Sequence, residues 1–134
     1  MAGRLDGKVA VITGGASGIG LGAVELFVKE GAMVVAADLQ DDKGAALEKG
    51  WAGKVRYAHC DVTSEDDIAA AIGLAKSEFG GLDVLFNNAG HGGTPGGVAD
   101  MSAAGWDATF ALLVRGPALG FTVMTIHIKY LGDA

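Results

Sequence analysis

Apolar residues in this chain come in short runs, and between the runs they recur every three or four positions. Residues 8–13 (KVAVIT) form the first run, and glycine follows it. A short apolar run rich in β-branched residues and closed by glycine predicts a buried strand. Over residues 18–30, Ile19, Ala23, Leu26 and Phe27 fall at helical spacing, and Gly31 closes the segment as a C-cap. Residues 33–37 (MVVAA) predict a second strand. Residues 41–49 predict a helix ended by Gly50, and the alternation in residues 54–59 (KVRYAH) predicts a third strand. Thr63 or Ser64 then caps a helix on which Ile68, Ile72, Ala75 and Phe79 sit at i, i+4, i+7 and i+11. Gly80 and Gly81 end it. Residues 83–86 (DVLF) predict a fourth strand that stops at Asn87 and Asn88, and helix follows.

Strands that are almost continuously apolar, separated by helices, predict a parallel sheet covered on both faces. Right-handed crossovers place the strands in a doubly wound α/β arrangement of order 3-2-1-4. The carboxyl end of the first strand is then the natural place for a ligand.

Composition narrows the partners. The 134 residues fit one domain, residues 1–134, and half of them are hydrophobic. A net charge of −6 argues against a nucleic-acid or anionic-membrane surface. One cysteine, Cys60, permits no internal disulfide, which suits a reducing compartment. The run at residues 9–12 is too short for a signal peptide. The apolar stretch near residues 118–128 is far below the ~20 residues of a spanning helix, so a soluble, cytoplasmic protein is expected. Residues 90–97 (GHGGTPGG) predict a mobile loop. Neither the histidine spacing nor the serine contexts match a metal site or a hydrolase triad.

Candidate chemistry lies at the strand ends. Thr13 to Gly20 reads TGGASGIG. Gly14 permits a tight turn out of the strand, Gly18 lets a diphosphate approach the backbone, and Gly20 lets the helix pack against the sheet. Free N–H groups and the helix dipole favour an anion there, and Ser17 adds a hydroxyl donor. The alternative is a glycine turn made only for close packing. Asp38 ends the second strand at the ~20-residue offset expected of a ribose-binding acid. A carboxylate there accepts from ribose hydroxyls and repels a 2′-phosphate, so NAD is preferred to NADP. Arg4 and Lys8 read as surface charges. After the third strand, Asp61 is placed to accept from an adenine amino group while the Val62 backbone pairs with the ring; it serves equally as a helix N-terminal acid. After the fourth, Asn88 can satisfy exposed backbone groups, and Ala89-Gly90 let a cofactor ribose come close.

These four motifs in this order (TGGASGIG, Asp38, CDVT at residues 60–63 and NNAG at residues 87–90) resemble the short-chain dehydrogenase/reductase family in its NAD-preferring form. The resemblance runs from about residue 5 to residue 121. It implies a Rossmann fold and hydride transfer between nicotinamide and an alcohol or ketone. It also implies cofactor contacts at Gly14, Ser17, Gly18, Ile19, Gly20, Asp38, Leu39, Asp61, Val62, Asn88, Ala89 and Gly90. The family's general acid/base is a Tyr-x-x-x-Lys pair, assisted by a serine and an asparagine. Here Asp61 stands four residues after Tyr57 and Ala134 four after Tyr130, so neither tyrosine has that lysine. The asparagine position aligns with Leu113. The chain therefore reads as the cofactor half of such an enzyme, C-terminally truncated and inactive by itself. A non-catalytic dinucleotide-binding module or a fragment without function are the alternatives. Residues 122–134 carry many β-branched residues where the family has a long helix, and read as an atypical tail. A sheet that ends at its fourth strand exposes an apolar edge, so self-association or a covering partner is expected.

Overall fold

Each strand sends alternate residues to opposite faces, and two separate cores follow from that. The structure is a computed structural model and describes residues 3–131, with side chains described to residue 126. Strands β1 (Val9–Thr13), β2 (Met33–Asp38), β3 (Val55–His59) and β4 (Val84–Phe86) form one parallel sheet of order β3-β2-β1-β4. On one face Val9, Val11, Val35 and Ala37 meet Ile68, Ala71, Ile72 and Ala75 of α3 (Glu65–Phe79). On the other, Ala10, Ile12, Val34, Ala36 and Val55 meet Val24 and Val28 of α1 (Gly18–Lys29). β1 pairs in register with β2, Val9 to Met33 through Thr13 to Ala37. This carries Thr13 and Asp38 to the same end of the sheet.

The expected element boundaries shift by a residue in several places. β2 extends one residue past 33–37 to include Asp38, which ends it as expected. α2 (Asp41–Gly50) includes Gly50, and Trp51 follows as its C-cap, so Gly50 does not end the helix. Ser64, not Thr63, caps α3: its hydroxyl accepts from the Asp67 N–H at 3.3 Å and donates to the Asp67 carboxylate at 3.1 Å. Gly80 closes α3 in the left-handed conformation at φ 85°.

Beyond β4 the backbone carries no regular structure until a short 3-10 turn, Val98–Asp100. Thr94 ties this loop down, its N–H donating to Thr109 Oγ1 and its hydroxyl to the Gly105 carbonyl. Helix α4 (Ala103–Phe110) then runs through a π-helical turn, Ala111–Arg115, into α5 (Gly116–Leu131). The tail beginning at Thr122 is therefore helical as far as it is described, and residues 132–134 lie outside the described residues. Thr122 and Thr125 adapt to the helix by donating their hydroxyls to the carbonyls four residues back, at 3.0 and 2.8 Å. The apolar stretch is also longer than the run near residues 118–128 suggests. Residues 103–126 form a continuous 24-residue helical stretch whose mean hydropathy reaches 1.5, enough by length and composition to cross a membrane. One stripe of it, Leu112, Leu119, Val123 and Met124, packs on the core beside α3.

Candidate functional site

The carboxyl ends of β1, β2, β3 and β4 border one cleft of about 370 Å³. Eleven of the twelve residues expected at a dinucleotide site line it: Gly14, Ser17, Gly18, Ile19, Asp38, Leu39, Asp61, Val62, Asn88, Ala89 and Gly90. Gly20 does not. A Cβ there would overlap the Gly14 carbonyl oxygen and lie 2.7 Å from Asn88 Nδ2. The close packing expected of Gly20 is thus against the glycine turn and Asn88, not against the sheet.

The turn leaves β1 with Gly14 at φ 66° and enters α1 with Gly18 at φ 55°. Ser17 is the N-cap of α1, yet its side chain makes no capping hydrogen bond. The first-turn N–H groups have no intrahelical acceptor, so they are available to an anion. A Cβ at Gly18 would meet nothing within 4 Å, which leaves the backbone open to a bulky group. The residues present therefore fit a diphosphate. Ile19 lies beside this opening and is 79% exposed.

Thr13 locks the base of the cleft. It is 4% exposed, and its Oγ1 accepts from the N–H groups of Asn88 at 3.1 Å and Ala89 at 3.0 Å. Asn88 Nδ2 returns a hydrogen bond to the Thr13 carbonyl at 3.0 Å. These bonds set the spacing between the glycine turn and the end of β4. Thr13→Val keeps the volume but strands the Ala89 N–H and leaves the Asn88 N–H with the Phe86 carbonyl alone, so it is expected to lower stability by about 1–2 kcal/mol. Chemical denaturation checks this; an unchanged midpoint and slope would contradict it.

Asp38 is 7% exposed and held by its own turn. Oδ2 accepts the Ala16 N–H at 2.9 Å; Oδ1 accepts the Gln40 N–H at 3.0 Å and the Gln40 amide at 3.2 Å. Burial works to raise its pKa, but these N–H donors outweigh burial and hold the carboxyl below its ordinary value. The site therefore presents a carboxylate, not an acid. Arg4 pairs with Glu30 and Lys8 with Asp83, and no lysine or arginine is among the residues lining the cleft.

Asp61 also lines the cleft, but its Oδ1 accepts from the Thr63 hydroxyl at 2.7 Å and the Thr63 N–H at 2.8 Å. Those bonds hold its carboxyl below the usual range. It organises the turn into α3, and its other oxygen accepts no hydrogen bond among the described residues. Cys60, Gln40, His91 and Leu112 complete the wall. Burial pushes the Cys60 thiol up to about 12, helped by the charges of Asp67, Asp61 and Asp38, so it remains an un-ionised apolar lining group. Leu113, at the aligned asparagine position, sits in the π-helical turn, and its Cδ2 comes 3.1 Å from where a Cβ on Gly90 would be. Thr94, which the sequence places on the same loop as His91, is not in the cleft wall. Leu112 was not legible from sequence, because only folding brings α4 and its π-turn over the ends of β1 and β4.

Comparison with known proteins follows the same lines. Residues 8–129 match the short chain dehydrogenase family. Momilactone A synthase of Oryza sativa subsp. japonica is 51% identical over 120 residues, covering 87% of this chain and 43% of that protein. Tropinone reductase-like 1 of Erythroxylum coca is 46% identical over 120 residues, covering 87% of this chain and 44% of that one. The crystal structure of a 3-ketoacyl-(acyl-carrier-protein) reductase from Brucella melitensis, complexed with NADH, superposes with a TM-score of 0.89 at 34% identity. The match spans 97% of this chain and 54% of that one. The chain spans less than half the length of these two sequence relatives.

Proposed function

The chain belongs to the short-chain dehydrogenase family, and from that premise we propose that its cleft binds NAD in preference to NADP. It does so as the cofactor-holding part of an oxidoreductase acting between an alcohol and a ketone. One observation carries the preference: a buried, ionised Asp38 closes β2 inside the cleft that the glycine turn borders, with no lysine or arginine among the described residues of the wall. A bound nicotinamide supplies hydride chemistry. This chain's own residues supply binding: first-turn N–H groups of α1 for the diphosphate, Asp38 for the adenosine ribose, and Asp61 and Val62 for the adenine. Ala89 and Gly90 leave room for the second ribose. A 2′-phosphate beside Asp38 brings two like charges together at low effective dielectric, which costs several-fold to many-fold in affinity.

No Tyr-x-x-x-Lys pair is present, so we assign this chain binding without turnover. Calorimetry should find NAD bound and NADP at least about tenfold weaker, a difference of about 1.4 kcal/mol. Equal affinities would contradict the role given to Asp38. Absorbance at the reduced-nicotinamide band should stay flat with a panel of alcohols and ketones. A non-catalytic dinucleotide-binding module is the second reading, and Leu113 at the aligned asparagine position favours it. A folded chain that ignores both dinucleotides would remove both readings.

We also propose that the chain self-associates. β4 closes one side of the sheet, and Trp106, Phe110 and Phe121 expose large apolar faces on α4 and α5. Light scattering after size-exclusion chromatography should report more than one chain per particle; a clean monomer at micromolar concentration rejects this.

A further inference from the structure

Gln40 breaks a local rule. It is the N-cap of α2, a place where Ser, Thr, Asp or Asn ordinarily bonds back to the first turn, and its side chain makes no such bond. The amide turns into the cleft instead. Its Nε2 donates to Asp38 Oδ1 at 3.2 Å and to Ser17 Oγ at 3.1 Å, bridging the carboxylate and the N-cap of α1. The Gln40 backbone N–H takes the same Oδ1 at 3.0 Å. Each carboxylate oxygen offers about two acceptor positions. Gln40 thus fills both on Oδ1, while the Ala16 N–H takes one on Oδ2. A single acceptor position remains, and a sugar diol presents two hydroxyls.

We propose that the Gln40 side chain is a specificity-determining residue, a displaceable donor that holds the Asp38 acceptor position which a ribose hydroxyl takes over on binding. This rests on the cofactor reading above and deepens it. The exchange is one neutral donor for another: an O–H leaves water and bonds Oδ1 as the amide N–H leaves Oδ1 for water. A 2′-phosphate dianion has no hydrogen to offer and is repelled by the carboxylate, so it leaves the Gln40 contact in place. The local rule is broken because the amide is spent on keeping a buried carboxylate satisfied and aimed.

The test is titration of the full chain with NAD and with NADP at neutral pH, alongside thermal melts, for the parent, Gln40→Met and Gln40→Ala. Gln40→Met keeps the length and removes the amide; Gln40→Ala removes the bulk as well. In both, the NAD dissociation constant is expected to fall about threefold, equivalent to roughly 0.65 kcal/mol and in the range of a weak exposed hydrogen bond. The NADP constant is expected not to move, so the preference for NAD widens by the same factor. NAD affinity that is unchanged or weakened, or tightening of both dinucleotides alike, overturns the proposal. A parent chain that melts cooperatively and binds no NAD overturns the cofactor reading and this inference with it. NAD binding by the parent with unmoved variants overturns this inference alone.

Discussion

Gly20→Ala is expected to lower the melting temperature by about 10 °C, equivalent to a loss of roughly 3 kcal/mol in a domain of this size. The added Cβ would overlap the Gly14 carbonyl oxygen and crowd Asn88 Nδ2 at 2.7 Å. Neither neighbour is the free end of a flexible side chain. Gly14 is backbone in a turn at φ 66°, and Asn88 is held by the Thr13 carbonyl. Relief therefore requires α1 to back away from the turn, and the cradle for the diphosphate opens as it does. NAD binding should disappear with the stability. Two neighbouring glycines serve as controls with different signs. Gly22 lies on the exposed side of α1 with open space around it, so Gly22→Ala should stabilise by about 0.5–1 kcal/mol through helix propensity alone. Gly18 also faces open space but at φ 55°, so Gly18→Ala should cost about 1 kcal/mol of backbone strain while abolishing NAD binding. A Gly20→Ala chain as stable as the parent would remove the packing role given to this residue.

Asp38→Ala is expected to weaken NAD at least about tenfold and to cost about 1–3 kcal/mol of stability, because it strands the buried Ala16 N–H as well as removing the ribose acceptor. The gap between NAD and NADP should close at the same time. The stability loss has a defined pH dependence. The Asp38 carboxyl lies below its ordinary value of 3.8 in the folded chain, because the Ala16 and Gln40 donors outweigh the burial that would raise it. A depressed carboxyl contributes stability that is fully present above its unfolded pKa of about 3.9 and is lost as pH falls through the folded value. The difference between parent and Asp38→Ala should therefore be constant from pH 5 to pH 8 and shrink below about pH 4. Denaturant titrations across that range measure it. A difference that grows on acidification would mean that Asp38 is buried as the neutral acid.

The four strands, three crossover helices and their order were readable because each rests on a pattern a few residues long. Val9 through Ile12 can only be buried, and Ile68, Ile72 and Ala75 can only face one way. The cleft was readable for the same reason: a glycine turn, an acid at a strand end and an Asn-Asn-Ala-Gly bend are each local, and a parallel sheet must bring strand ends together. Boundaries slipped where a single residue had two good options, as at Gly50 and at Thr63 against Ser64. The helix through Thr122 and Thr125 was not legible because propensity counts the entropy that these residues lose and omits the carbonyls that their hydroxyls reach.

By itself, then, the amino-acid order determined the elements, their topology and most of the residues that border the cleft, since periodicity and turn chemistry act over a handful of neighbours. Only the tertiary structure decided what those side chains do there. It turned Gly20 against Gly14 and Asn88, pointed Asp38 at Ala16 and Gln40, tied Asp61 to Thr63 and laid Leu112 across the opening. Each of these depends on distances and directions that exist only once the folded backbone has set them, and a hydrogen bond or an overlap is decided within a fraction of an ångström.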